Sequence, residues 1–279
     1  MSVLYFIVHR IVFCFDSQKE ALKKKLEDFT LDNPDVKKIS ILVAGQIGAG
    51  KSSFINSINS AFQGRITSRA LVNSSAGDSR SFTQDLKGFT IKSRKKSLPF
   101  VFNDIMGLEP DQLTGSHIED QCCVWQRLFN QKQTPTYKDQ HYTCDPTLSD
   151  QAFCLVYVIA AETVQFTDER LKKLKITENE RAKGIPQVVI MTKVDEACPL
   201  VKNNLRKIYS SKKIKEKMET CSAETGVPLT NIFPVKNYHE EIDTEDDIDV
   251  LILKALEQIV QIANVRLKDS NDKNDSVVK

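Results

Sequence analysis

Short, nearly unbroken apolar runs alternate along the chain with longer stretches whose apolar residues recur every three or four positions. The runs at Ile39 to Ala44, Phe153 to Ala160 and Val188 to Thr192 have the length and composition of strands buried on both faces. Leu86 to Lys92 and Leu98 to Asn103 predict two more strands, joined by the basic turn Ser93 to Ser97, and Asn231 to Val235 predicts a short last one. Between them the spacing becomes helical. Ser17 and Glu20 have capping-box spacing ahead of Leu22, Leu26 and Phe29, and Asn33 and Pro34 mark a stop. Gly50 to Phe62 carries Phe54, Ile55, Ile58 and Phe62 on one side. Asp168 to Lys183 predicts a charged-faced helix closed by Gly184, and Pro199 to Ala223 one or two lysine-rich amphipathic helices ending at Gly226. Thr244 and Asp247 predict the cap of a final helix, with Ile248, Leu251, Ile252, Leu256, Ile259 and Val260 on a wide apolar face.

Strands alternating with helices predict an α/β fold of three layers, a mostly parallel sheet with helices on both faces. Ligands of such sheets lie beyond the C-terminal ends of the strands, so the loops there carry the candidate chemistry. The expected organisation is an apolar segment and helix over 1–35, one α/β domain over 36–265 and a disordered tail over 266–279. Gly64 to Gln84 is polar and irregular, and about 121–149 reads as an insertion.

The first strand runs directly into Gly45, Gln46, Ile47, Gly48, Ala49, Gly50, Lys51 and Ser52, followed by Ser53 and a helix. This is G-x-x-x-x-G-K-[ST] between a strand and a helix, the context that gives the motif its meaning, and it makes the expected fold over 36–265 that of a three-layer P-loop NTPase G domain. Glycines let backbone N–H groups converge on phosphate oxygens, and the helix N-terminus adds its dipole. Lys51 offers charge to the β- and γ-phosphates, and the Ser52 hydroxyl a ligand to Mg2+. Asp104 and Gly107 form D-x-x-G after the fifth predicted element, where the carboxylate can hold Mg2+ through water. Thr83 is the best candidate for the threonine that closes on the metal, with Thr67 and Ser74, Ser75, Ser79 and Ser81 as competitors. The candidate metal ligands are therefore Ser52, Thr83 and Asp104.

Thr192, Lys193 and Asp195 form T-K-x-D after the strand at 188–192. A carboxylate at Asp195 can accept from guanine N1–H and N2–H2, a donor pair that adenine lacks. The Lys193 stem can lie along the base, and Thr192 can bond nearby backbone. Backbone N–H groups of Lys236 and Asn237, after the last strand, can meet guanine O6. GTP or GDP with Mg2+ is the expected ligand, and ATP remains only if Asp195 misses the base.

Composition narrows the partners. A net charge of +2 in 279 residues argues against nucleic acid. Met1 to Phe15 is apolar but is interrupted by His9 and Arg10 and falls short of the roughly 20 residues of a membrane span. Seven irregularly spaced cysteines fit reduced thiols in the cytoplasm. Cys122, Cys123, His141 and Cys144 could gather around zinc, but no paired CxxC backs that reading. The lysines from Lys202 to Lys217 read as a solvated helix face.

The segments ILVAGQIGAGKSSFINSINSAFQGRIT, SLPFVFNDIMGLE, TKVD, and PLTNIFPVKNY with DIDVLILKALEQIVQIA resemble the interferon-induced protein 44 family over about residues 17–265, with a departure at about 121–147. The resemblance implies a GTP-binding domain of the interferon response, with an antiviral setting in the cytoplasm. Family members often carry a further N-terminal domain, for which 279 residues are expected to leave no room. Hydrolysis stays open in the sequence. Leu108 and Glu109 follow Gly107 where efficient GTPases place a water-orienting glutamine, and Ile47 is bulky within the loop. Slow turnover, turnover in a homo-oligomer formed through the G domain, and a non-hydrolysing scaffold are all compatible with these residues.

Overall fold

The computed structural model describes residues 15–34, 36–68, 87–94, 96–104, 151–164 and 185–277; of residues 15–17, 87, 104 and 270–277 it describes the backbone only. Six strands form one sheet in the order β2-β3-β1-β4-β5-β6: β1 Ile39–Gly45, β2 Lys87–Lys92, β3 Ser97–Asp104, β4 Ala152–Ala160, β5 Gln187–Thr192 and β6 Ile232–Pro234. Every pair is parallel except β2 with β3, the hairpin at one edge. Pro234 is tolerated in β6 because that strand has a neighbour on one side only.

All nine residues of β4 and all six of β5 are buried. Successive side chains of a strand point to opposite faces, so unbroken burial means that both faces are covered. The expectation of a mostly parallel α/β sheet is met. Helices α1 Phe15–Glu27, α2 Lys51–Gln63 and α6 Asp246–Val277 pack together, with α2 against β1, β2 and β3 and α6 against β1 and β4. Phe54 of α2 meets Phe102 of β3 edge to face, with ring centroids 6.5 Å apart. Short helices α3 Val194–Ala197 and α4 Pro199–Asn203 precede α5 Lys212–Thr225.

Several boundaries differ from the expected ones. The first helix is already formed at Phe15, so Ser17 lies inside it and is not its cap. It ends at Glu27, and Phe29 leaves the helix to pack edge to face on Phe100 at 5.5 Å. The lysine-rich stretch breaks into α4, a 3-10 segment and α5, because side chains there capture backbone donors: Asn204 accepts from the Arg206 N–H, and Ser211 from the Ile214 N–H. The first carbonyl of α6 is that of Glu245, which accepts from the Asp249 N–H at 2.9 Å, so the helix starts one residue later than a Thr244 cap implies. It then continues through Val277, beyond Leu267, across residues expected to form a tail. No glycine or proline interrupts it there. The expected helix at 168–183, the insertion at 121–149, the residues proposed for zinc and the apolar residues 1–14 lie outside the described residues.

Candidate nucleotide site

The parallel arrangement brings the ends of β1, β3, β4, β5 and β6 to one edge of the sheet. Val43 is level with Asp104, Gly45 with Val158, Ala160 with Thr192, and Met191 with Pro234. The loop Gly45 to Ser52 opens from β1 at this edge and closes into α2. Two glycines are required by its path. A Cβ at Gly45 would collide with the Val158 carbonyl of β4, at a φ of +152°. Gly50, at φ +94°, is the residue before α2, and a Cβ there would come within 2.9 Å of the Asn237 side chain. Among the described residues, no atom outside its own chain neighbours lies within 4 Å of a Cβ built on Gly48.

Lys51 reaches back across this loop and donates to the carbonyls of Gly45 and Gln46 at 2.9 and 3.1 Å. Its ammonium therefore stands over the concavity. Gly50 has no side chain to cap the start of α2, and its carbonyl takes up the Phe54 N–H at 2.8 Å. The geometry fits an anion held by backbone N–H groups and one lysine.

The expected base-reading residues converge on the same loop. Thr192 is fully buried, and its hydroxyl donates to the Ala49 carbonyl at 2.6 Å, with the Ile159 carbonyl at 3.3 Å. The threonine thus ties the end of β5 to the phosphate loop. Lys193 has a φ of +55°, the only non-glycine residue with a positive φ among those described. Such a conformation costs energy that surrounding contacts must offset, and it starts α3, which carries Asp195. Lys193 also pairs with Glu162 at 3.1 Å, across from the turn that follows β4. Asp195 and Lys236 share the wall of a polar pocket of about 240 Å3, together with Lys202, Asn203 and Asn204.

The loop after β6 is held at three points. The Val235 N–H donates to the Met191 carbonyl at 2.8 Å. The Asn237 amide donates to the Gly50 carbonyl at 3.2 Å, and the Tyr238 N–H donates to Ser57 Oγ of α2 at 3.0 Å. Asn237 Oδ1 is buried without a hydrogen-bond partner among the described residues. Lys236 pairs with Glu241 at 2.7 Å. Burial opposes both charges, but the bond between them outweighs it: Lys236 is pushed above its ordinary value and Glu241 down to about 2. The Glu241 carboxylate also accepts from the His239 and Glu240 N–H groups at 2.8 and 3.2 Å.

A pH dependence follows from this clasp. A carboxyl depressed in the folded chain stabilises fully above its unfolded pKa of about 4.3 and progressively less as pH falls toward the folded value. Loop order at 236–241 is expected to be constant from neutral pH to about 4.5, then to fade toward pH 2. Amide exchange at His239 and Glu240 reads it, and Glu241→Gln is expected to remove the dependence. A loop that loosens between pH 7 and 5 would contradict this assignment.

Asp104 closes β3 beside the phosphate loop, although its side chain is outside the described set. Thr83, Gly107 and Leu108 also lie outside the described residues. Thr67, a competitor of Thr83, is committed elsewhere: its hydroxyl lies 3.3 Å from the Asn56 carbonyl and from Ser60 Oγ in α2. The sequence reading missed Glu162, the Asn237 side chain, Tyr238 and Asp249. Only Asp249 left a trace, as a carboxylate within the apolar stripe of the last helix.

A family model described as the AAA domain matches residues 16–276. The chain belongs to the AAA-domain family of P-loop NTPases. Its homologues include human interferon-induced protein 44-like, 32% identical over 244 residues, 84% of this chain and 53% of that protein. Mouse interferon-induced protein 44 is 32% identical over 261 residues, 89% of this chain and 60% of that protein. The chain thus spans just over half the length of these relatives. Among solved structures, Toc33 from Arabidopsis thaliana in complex with Mg2+ and GMPPNP is similar with a TM-score of 0.52 at 16% identity, covering 92% of this chain and 95% of that one. A structure of the chloroplast translocon components atToc33 and psToc159, for which dimerization is described as important for GTPase activity, gives 0.51 at 15% identity, covering 92% and 93%. At such identities the likeness shows the fold. Among the described residues, no helix is long and apolar enough to cross a membrane.

Proposed function

We propose that this chain binds a guanine nucleotide with Mg2+ and acts as a nucleotide-dependent protein of the interferon response in the cytoplasm. The observation that carries the reading is the joining of three loops at one sheet edge: Thr192 and Asn237 bond the carbonyls of Ala49 and Gly50 at 2.6 and 3.2 Å. A phosphate loop alone serves any nucleotide. One tied to T-K-x-D on one side and to the loop after β6 on the other has the parts to read a base as well.

In this reading Gly45, Gln46, Ile47, Gly48, Ala49, Gly50, Lys51, Ser52 and Ser53 cradle the phosphates. Ser52, Asp104 and Thr83 hold the metal, and Gly107 meets the γ-phosphate. Asp195 takes the guanine edge, Lys193 covers its face, and the backbone at Lys236 and Asn237 meets O6. The Mg2+ would supply charge neutralisation between the β- and γ-phosphates. The domain spans 36–265. Leu108, in place of a glutamine, favours slow or assembly-dependent hydrolysis, or a scaffold that switches on binding alone. The described pairing of the Toc33-type neighbours supports a homo-oligomer formed through this domain.

ATP is the competing ligand, since the matched family is described only as an AAA domain. Calorimetric titration with GTP and ATP, each with Mg2+, separates them. GTP is expected to bind at least about 10-fold more tightly, on the order of 1.4 kcal/mol. Equal affinities would overturn the guanine reading. Turnover of GTP measured at rising protein concentration then tests assembly-dependent hydrolysis, with Lys51→Ala as the blank.

A further inference from the structure

The base-side loop is braced from behind by charges that belong to the first and last helices. Tyr238 ends the loop and is 8% exposed. Its hydroxyl accepts from the Glu245 N–H at 2.8 Å and lies 2.7 Å from Asp249 Oδ1. A phenol has one proton, and the shorter bond to a carboxylate takes it. The Glu245 carbonyl is then left to the Asp249 N–H, so the start of α6 and the ring of Tyr238 are locked together.

Asp249 has a fully buried side chain, and a lone buried carboxylate is costly. Its counter-charge comes from the other end of the chain. Lys19 Nζ of α1 lies 2.7 Å from Asp249 Oδ2 and donates to Asp246 Oδ1 at 2.8 Å. The contact with Asp249 is an ion pair by distance, and the same ammonium is shared with Asp246. Lys19 is 16% exposed, so the pair is shielded from solvent and salt.

We propose that Lys19, Asp249 and Tyr238 form a positioning strut through which helix α1 holds the loop 235–238 against the phosphate loop. The path is continuous: Lys19 to Asp249, Asp249 to Tyr238, Tyr238 through its N–H to Ser57, and its neighbour Asn237 to Gly50. None of the three side chains at its head needs to touch nucleotide. The inference rests on the guanine-nucleotide reading for its functional consequence: whatever displaces α1 shortens the residence of the nucleotide. The strut itself can be tested without nucleotide.

A second ion pair between the same helices serves as the control. Lys25 of α1 pairs with Glu257 of α6 at 2.7 Å, and Lys254 also pairs with Glu257 at 3.0 Å. It joins α1 to α6 without any bond to the loop. In the nucleotide-free chain, Lys19→Met and Tyr238→Phe are each expected to speed amide exchange at residues 235–238 by roughly 10-fold or more. Lys25→Met is expected to leave those amides at the wild-type rate, and Lys19→Arg to restore most of the protection. Tyr238→Phe removes one hydroxyl and keeps the ring, so it decides the matter if Lys19→Met does not fold. Dissociation of a fluorescent GDP analogue is expected to accelerate in the same two variants and not in Lys25→Met. Unchanged exchange at 235–238 in Tyr238→Phe, or an equal change in Lys25→Met, would overturn the strut. A wild-type chain that binds no GDP while the exchange pattern holds would overturn the nucleotide reading and leave the strut standing.

Discussion

Replacing Lys51 with alanine is expected to lower affinity for GTP with Mg2+ by about 100-fold or more, while the chain stays folded. The structure places its ammonium 2.9 and 3.1 Å from two carbonyls of the loop it must serve. A phosphate would take over those donors as charge-assisted bonds, each worth about 1.5–3 kcal/mol. Two such bonds lost exceed the roughly 2.7 kcal/mol that a 100-fold change requires. The cost to folding is smaller. Lys51 is only half-buried, and the carbonyls it leaves can turn to water, so about 1 kcal/mol and a melting shift of about 2–4 °C are expected. Titration calorimetry and thermal melting on the same sample separate the two effects. Wild-type affinity in a folded variant would mean that the loop does not hold the phosphates.

This contrast between binding and folding explains which features the sequence revealed. The loop motif is local: the eight residues Gly45 to Ser52 join a buried strand to a helix, so this strand–loop–helix turn could be read without knowing the rest of the fold. The sheet was legible for a related reason. Strands buried on both faces, as β4 and β5 are, need unbroken apolar runs, and little else in a soluble chain has them. Helix ends were legible where a glycine marks them, as Gly226 does after α5, but not where an end is decided by which side chain wins a backbone donor. Ser17 has the spacing of a cap and sits inside a helix, while Asn204 and Ser211 set the breaks in a lysine-rich stretch that periodicity alone leaves as one helix or two. Least visible were the bonds between distant segments. Lys19 and Asp249 are 230 positions apart and touch only because α1 lies along α6. Thr192 was legible as a hydroxyl that bonds backbone, but not that its partner is the Ala49 carbonyl, 143 positions away.

Asp195 carries the second large expected effect, because in the guanine reading the choice of guanine over adenine would rest on its charge. Guanine offers N1–H and the N2 amine on one edge, and a carboxylate accepts both. Changing Asp195 to asparagine keeps the shape, removes the charge and substitutes a donor for one acceptor. That donor would face the guanine amine, so GDP affinity is expected to fall by about 100-fold or more, through the loss of one charge-assisted bond and the burial of two donors against each other. Xanthine differs from guanine by a carbonyl in place of that amine. The introduced side-chain amide would then match it, acceptor to N1–H and donor to O2, so the variant should prefer the xanthosine nucleotide over GDP, reversing the wild-type order. ADP affinity should not change, since adenine has no donor pair on that edge to lose. The test is thus a ratio within one protein, which a general loss of folding cannot imitate. If Asp195→Asn weakens GDP, XDP and ADP alike, Asp195 shapes the neighbouring pocket and does not read the base. If it weakens none of them, the base lies elsewhere, and the family's description as an AAA domain becomes the better guide to the nucleotide.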